Sequence, residues 1–317
     1  MAGEGLISFA GSNFRTDVIC HGLPLVADDL EGLVSQIKAD MPLQGPRMGE
    51  IRAKLEKWTE FVNPHVRIRR AIEALRAELK MLKLTPDGSD LASIRKDHPP
   101  EMAERLWTEA AARYSKGVGI CFGIRSMIPV LAESFVNLLL AMLMRPDLKA
   151  DDRLRETLVR LPIDVRVKLL HVNCTGFARS VDYATPACAN YHSLVNERND
   201  LLHGNVAIDK LKFGEVYFNG RVPIFKEYRG LGRRTVGVWV GAVGLEHLET
   251  ELATVDAFIE YVLSCLVPKT ASTVRQFLTS YELGKETRTG RLGVLFSGAI
   301  VDFVGEGMAR FGSDVLD

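Results

Sequence analysis

The sequence predicts a mainly α-helical protein: a helical bundle with a small β-hairpin or strand insertion and an N-terminal helical extension. Three observations predict it. Apolar residues recur at alternating four- and three-residue intervals over much of the chain, the spacing of one helix face. That period gives way to strand-like runs over one short stretch, about 215–240. Hydrophobic side chains make up 47% of the 317 residues, enough for a sizeable core.

Residues 1–45 mix Gly, Pro and Asp punctuation and predict only a short helix near Leu30 to Ile37. Ile51, Leu55, Trp58 and Val62 then follow helical spacing, Asn63-Pro64 breaks it, and Ile68, Ile72, Leu75, Leu79 and Leu82 continue it in a second amphipathic helix. That second helix carries Arg67, Arg69, Arg70, Arg76, Lys80 and Lys83 among Glu73 and Glu78. The interspersed acids read as a solvated polar face, with an RNA-backbone groove as the alternative. A turn at Thr85-Pro86-Asp87-Gly88 and a stiff break at Asp97-His98-Pro99-Pro100 place a boundary near residue 95, so that 1–95 form the N-terminal extension.

The bundle proper is predicted over 96–270. It opens with a helix at 101–115. The longest apolar helix follows, in which Ile124, Ile128, Leu131, Phe135, Leu138 and Met142 mark the face at the bundle's centre and Leu139, Leu140 and Leu143 broaden it. Arg145-Pro146-Asp147 stops that helix, and shorter ones near 151–160 and 163–180 lead to Pro186. A helix from about Ala187 to His203 has Tyr191, Leu194, Val195, Leu201 and Leu202 as its expected buried side, and Gly204 suits the position just past its end. Asn219-Gly220 between two apolar runs signals a hairpin with Pro223 on an edge strand, and Thr235 to Val240 reads as a third strand. Leu245 to Leu266 form a closing helix ended by Pro268. In the tail, 271–317, one apolar stretch, Gly293 to Val304, is expected to dock on the bundle or on a partner.

Charge and cysteine content narrow the function classes. Forty basic side chains balance forty acidic ones, so no global field draws in nucleic acid and any such binding must use a local patch. Five cysteines (Cys20, Cys121, Cys174, Cys188 and Cys265), with no CxxC pair, read as reduced core residues of a cytosolic protein. No basic region precedes an apolar run at the N-terminus, so no signal peptide is expected. The most apolar stretch, Val118 to Met144, carries Arg125, Glu133 and Asn137 and includes Pro129, which favours a buried helix over a membrane span. The expected location is cytoplasmic, without a membrane.

The chemistry concentrates at Arg198-Asn199-Asp200-Leu201-Leu202-His203, next to Gly204. It places a permanent cation, an amide and a titratable imidazole at a helix end, a set able to bind a phosphodiester and move its protons without a metal. Asn199 and His203, four apart, share a helix face, whereas Arg198 and His203 sit roughly 140° apart around the axis. Convergence is easier if a symmetry-related copy brings a second segment alongside. Other patterns are weak. His171, Cys174, Cys188 and His192 match no zinc spacing, Gly117, Gly119 and Gly123 lack a preceding strand, and Gly284-Lys285 lacks the upstream glycine of a phosphate loop. No metal and no cofactor are expected.

Glu197-Arg198-Asn199-Asp200-Leu201-Leu202-His203-Gly204 resembles the signature of the HEPN superfamily: Arg, a polar residue, three more, then His. The resemblance aligns Arg198, Asn199 and His203 with the family's functional residues, leaves Glu197 and Asp200 secondary, and covers roughly 100–268 as a helical pattern. It implies a helical bundle that dimerises and cuts RNA without metal, in toxin-antitoxin or phage-defence systems, where an antitoxin or regulatory protein is a further partner. It equally admits a non-catalytic member that binds a nucleotide, RNA or protein partner. The strand insertion at 215–240 departs from the minimal bundle and is expected to cover part of the cleft.

Overall fold

The computed structural model describes residues 5–295, apart from 12–15, 23–26, 86–89, 92–93, 95–97, 207, 209–211, 213 and 227–235. The chain divides into two compact units, 1–57 and 58–317. The first contains an antiparallel hairpin, β1 (Leu6–Gly11) and β2 (Thr16–His21), and a helix, α1 (Ala27–Lys54), that runs far beyond the short helix expected from the sequence. Pro42 and Pro46 lie within α1, and most of its described side chains are exposed.

The second unit begins with a departure from the sequence reading. Ile51 and Leu55 are exposed, α1 has ended at Lys54, and Trp58–Val62 form a strand, β3. The apparent helical spacing there is accidental, because backbone pairing with a distant strand decides the segment. Asn63 then caps α2 (Pro64–Met81): its side-chain oxygen accepts from the His65 N–H, and Pro64 sits in the first turn, where its missing N–H costs nothing. Val66, Ile72 and Leu79 are buried along α2, with Ile68, Leu75 and Leu82 beside them, as the spacing predicts. On its outer side Arg69 pairs with Asp256 at 2.7 Å and Arg76 forks onto Glu249 at 2.5 and 2.6 Å.

The centre is one uninterrupted helix of 44 residues, α3 (Pro100–Leu143), where the sequence suggests two segments. Ile124, Ile128, Leu131 and Phe135 have no exposed surface, and burial of each such side chain contributes roughly 1.5–3 kcal/mol. By length and apolarity α3 meets the criteria of a membrane span, but 56% of its most apolar window is buried inside the fold. Short helices α4 (Pro146–Ala150), α5 (Asp152–Arg160), α6 (Ile163–Lys168) and α7 (Leu170–Asn173) follow. The single helix expected over 163–180 is therefore two short ones and irregular chain, bridged through Cys174 to Met144 and through Phe177 to Leu266.

Next come α8 (Pro186–His203), a two-stranded hairpin of β4 (Val216–Asn219) and β5 (Val222–Phe225), α9 (Val238–Val243), a 3-10 turn at Leu245–His247 and α10 (Leu248–Ser264). The hairpin matches the sequence reading. Gly220, at φ 61°, is the first central residue of its turn, a conformation easy only for glycine there. The expected third strand does not form: Val238 to Val240 are helical, and Thr235 lies outside the described residues. Val236, Val240 and Val243 are buried at helical spacing, the first two against Ala110 and Tyr114 of α3, so packing overrides the strand preference of β-branched residues.

The tail builds onto the bundle. α10 ends at Ser264, short of the expected stop at Pro268, which instead starts α11 (Pro268–Thr279), after which β6 (Glu282–Glu286) pairs antiparallel with β3 and with β7 (Leu292–Val294). Residues 296–304 of the tail's apolar stretch lie outside the described residues, as do parts of the turn and break expected at 85–100. The core forms where α2, α8 and α10 pack on α3, with the Tyr191 and Phe258 rings stacked at 4.2 Å between centroids. Cys121, Cys174, Cys188 and Cys265 are buried free thiols; the Cys20 side chain is outside the described ones. Burial pushes Cys121 up to about 11 and Cys174 up to about 12, which keeps both thiols protonated and inert.

Candidate functional site

α8 presents the sequence's candidate residues on its last two turns. Cys188, Tyr191, Leu194 and Val195 anchor the helix in the core. Gly204 ends it at φ 63° and ψ 34°, and the Gly204 and Asn205 N–H groups both donate to the Asp200 carbonyl. Leu201 is only half-buried and Leu202 is 46% exposed, contrary to the expected buried side, because the last turn runs past the edge of the core.

Arg198 continues the stripe of Tyr191 and Val195, so it points inward toward α3, not outward toward solvent. Its Nη2 donates to Glu133 Oε1 at 3.0 Å, with both side chains largely buried. Arg166, from α6, approaches the other oxygen of the same carboxylate at 3.9 Å and donates to the Asn137 side-chain oxygen. Two guanidiniums thus share one carboxylate, leaving a local excess of one positive charge. The Nε groups of Arg166 and Arg198 are both buried, without a hydrogen-bond partner among the described residues. A largely buried cation surplus favours an additional anion at its exposed edge.

Glu197 turns the opposite way, to Arg125 Nη2 at 3.3 Å. Arg125 in turn donates through Nε to Glu251 at 2.7 Å and through Nη1 to the Val243 carbonyl at 3.0 Å, so α3, α8, α9 and α10 meet at one guanidinium. The Asp200 carboxylate accepts from the Asn205 side-chain amide at 3.0 Å. Asn199 is half-buried and His203 exposed, and among the described residues neither side chain makes a hydrogen bond. The three principal side chains do not bond to one another: Arg198 lies inside the edge of the bundle, Asn199 at the edge and His203 beyond it. Beneath them, burial first and the Glu133 charge second push the Tyr191 phenol up, so it stays neutral.

Sequence reasoning missed Glu133, Arg166 and Glu251 as parts of this site. One signal was present: Arg125, Glu133 and Asn137 stand at multiples of four in the apolar stretch of α3 from Val118 onward, hence on one face. Their charge needed a destination inside the fold. The hairpin β4–β5 is largely exposed, with Tyr217 and Phe218 on its surface. Cys174 and Cys188 are buried while His171 and His192 are exposed, with His192 edge-on to Tyr183. Among the described residues no group of three or more His, Cys, Asp or Glu is placed to hold a metal. No protein-family model matches the chain, and no curated protein or solved structure is detectably similar to it.

Proposed function

We propose that the chain is a HEPN-type endoribonuclease that works without a metal, as a homodimer, with RNA as its substrate. The observation that carries this reading is the cation surplus at Arg198 and Arg166, next to a half-buried Asn199 amide and an exposed His203 imidazole on the same helix end. Arg198 would exchange part of its bond to Glu133 for a phosphate oxygen and stabilise charge as it develops on the phosphorane. Asn199 would orient the phosphate or the imidazole.

In the reaction the ribose 2′-oxygen attacks phosphorus and gives up its proton, the bond to the 5′-oxygen breaks, and that oxygen takes a proton. The products are a 2′,3′-cyclic phosphate and a 5′-hydroxyl. One histidine supplies either the base or the acid in a given step. A second copy of the segment, brought in by the partner protomer, supplies the other, which is why the dimer belongs to the proposal.

The test is total RNA incubated in a chelator with wild type, Arg198→Ala and His203→Ala. Fragments from wild type alone, ending in a cyclic phosphate, are the expected result. Cutting that needs added metal, or survives His203→Ala, overturns the mechanism. Intact RNA in every lane, with RNA still bound, supports the alternative of a binding protein. Growth arrest on expressing wild type, relieved by Arg198→Ala, supports a toxin or defence role.

A further inference from the structure

The polar stripe on α3 continues past the candidate site. Asn137, whose side-chain oxygen accepts from Arg166, also lines an open groove of about 480 Å³ between α3 and α5. From Glu133 to Ala141 in that groove is eight residues, about 12 Å along the helix axis. Leu140, Met144 and Val159 make an apolar floor, and Lys149, Arg155 and Arg160 stand on the rim against one carboxylate, Glu156.

The pairing of those cations matters. Arg155 meets Asp152 at 2.7 Å and Arg160 meets Glu156 at 3.6 Å, both in solvent-exposed geometry, where such pairs contribute little and exchange readily for phosphate. Among the described residues Lys149 pairs with no carboxylate: its ammonium donates to the Gly290 and Ala141 carbonyl oxygens at 3.1 and 3.3 Å. Burial, then the neighbouring Lys285 and Arg155 charges, lower its pKa, as expected where cations are in excess. The groove between α2, α10 and α11 differs in charge balance, because its lining sets Arg69, Arg70 and Arg275 against Glu73, Asp256 and Glu260.

We propose that the α3–α5 groove is a second phosphate subsite of the same RNA-binding surface, with Lys149, Arg155 and Arg160 on the strand's phosphates and the apolar floor under a base. It rests on the nuclease reading and extends it. The strand would run along α3 from Arg198, past Arg166 and Asn137, into the groove. Phosphate contacts of this kind hold register without reading sequence.

The experiment is fluorescence anisotropy with a labelled short oligouridylate on the His203→Ala protein, which leaves the RNA intact, titrated at several salt concentrations. The groove variants are Lys149→Ala/Arg155→Ala/Arg160→Ala and, sparing the lysine that ties the Gly290 turn, Arg155→Gln/Arg160→Gln. The triple variant is expected to bind at least about tenfold more weakly, with a salt slope shallower by about 2, since each single-strand phosphate contact contributes ~0.7. The double variant should show about two-thirds of that slope change. Unchanged affinity and slope in the double variant overturn the groove while leaving the nuclease reading intact. A wild-type protein that neither binds nor cuts RNA overturns both. Binding that weakens in the groove variants, from a wild-type protein that cuts nothing, keeps the groove and overturns the nuclease.

Discussion

Arg125 reaches three acceptors from one side chain, and removing it strands the most deeply buried of them. Its side chain is 13% exposed and that of Glu251 is 8% exposed, and the second Glu251 oxygen already lacks a partner among the described residues. Arg125→Met should therefore destabilise the protein by about 3–5 kcal/mol, the usual consequence of leaving one half of a buried pair charged and alone. Arg125→Met with Glu251→Leu should recover most of that loss in urea denaturation, and a double variant as unstable as the single one would refute the pairing argument. Glu133 invites the opposite test. As the carboxylate shared by Arg166 and Arg198, it competes with any phosphate brought to them. Glu133→Gln should raise affinity for single-stranded RNA by roughly tenfold, because a charge ~4 Å from the site opposes binding by ~1 kcal/mol in water and more when half-buried. Weaker RNA binding by this variant would mean that Glu133 organises the arginines and does not block them. The sequence drew attention to Arg198, Asn199 and His203 because they stand within six residues of one another. Their partners were not, since Glu133 lies 65 residues from Arg198 and only the packing of α8 on α3 joins them.

Elements were legible wherever one face alone decided the outcome. The α2 and α10 stripes, the α8 stripe as far as Val195 and the central face of α3 follow their spacing, because each packs a single apolar side on the core. The failures share a cause. Trp58–Val62 became a strand by pairing with β6, more than 200 residues on, and Val238–Val243 became a helix by packing on α3, so neither fate is written locally. Asn63 shows the same long reach from a single side chain. It caps α2 through its oxygen, and its amide donates to the Phe277 and Ser280 carbonyls at 2.7 and 2.9 Å, fastening the end of α11. Asn63→Ala should cost roughly 2–4 kcal/mol, the sum of a lost cap and carbonyls left without donors. Asn63→Asp keeps the capping oxygen yet sets a carboxylate against those carbonyls, so it should not rescue the melting temperature. An aspartate variant as stable as wild type would show that the cap alone matters.

At the scale of the whole second unit, Asp90, Asp147 and Glu260 are all held below the usual carboxylate range, and His65 and Glu286 add the two largest contributions to resistance to acid, in separate windows. His65 is 2% exposed between α2 and α3, with Nδ1 at 3.2 Å from the Leu131 carbonyl oxygen and 3.1 Å from the Ser134 hydroxyl. Burial first and the Arg69 charge second lower its pKa from 6.5 to about 4, so the folded protein keeps the imidazole neutral where the unfolded chain would protonate it. The unfolded state then binds more protons between those two values, and stability falls as pH falls through them. The contribution is complete above pH ~6.5 and gone below ~4, a change on the order of 3 kcal/mol. Glu286 acts lower. Its carboxylate accepts from the Thr289 hydroxyl and from the Arg288 and Thr289 N–H groups at the turn after β6, which holds it at about 2 against an ordinary 4.5. Its contribution is complete above ~4.5 and is lost as pH falls toward ~2. Urea midpoints followed across the acid range should therefore decline in two stages. His65→Gln will lower stability at neutral pH, but it should flatten the first stage and leave the second; Glu286→Gln should do the reverse. If His65→Gln declines between pH ~6.5 and ~4 as steeply as wild type, the buried imidazole is not what weakens the bundle in acid.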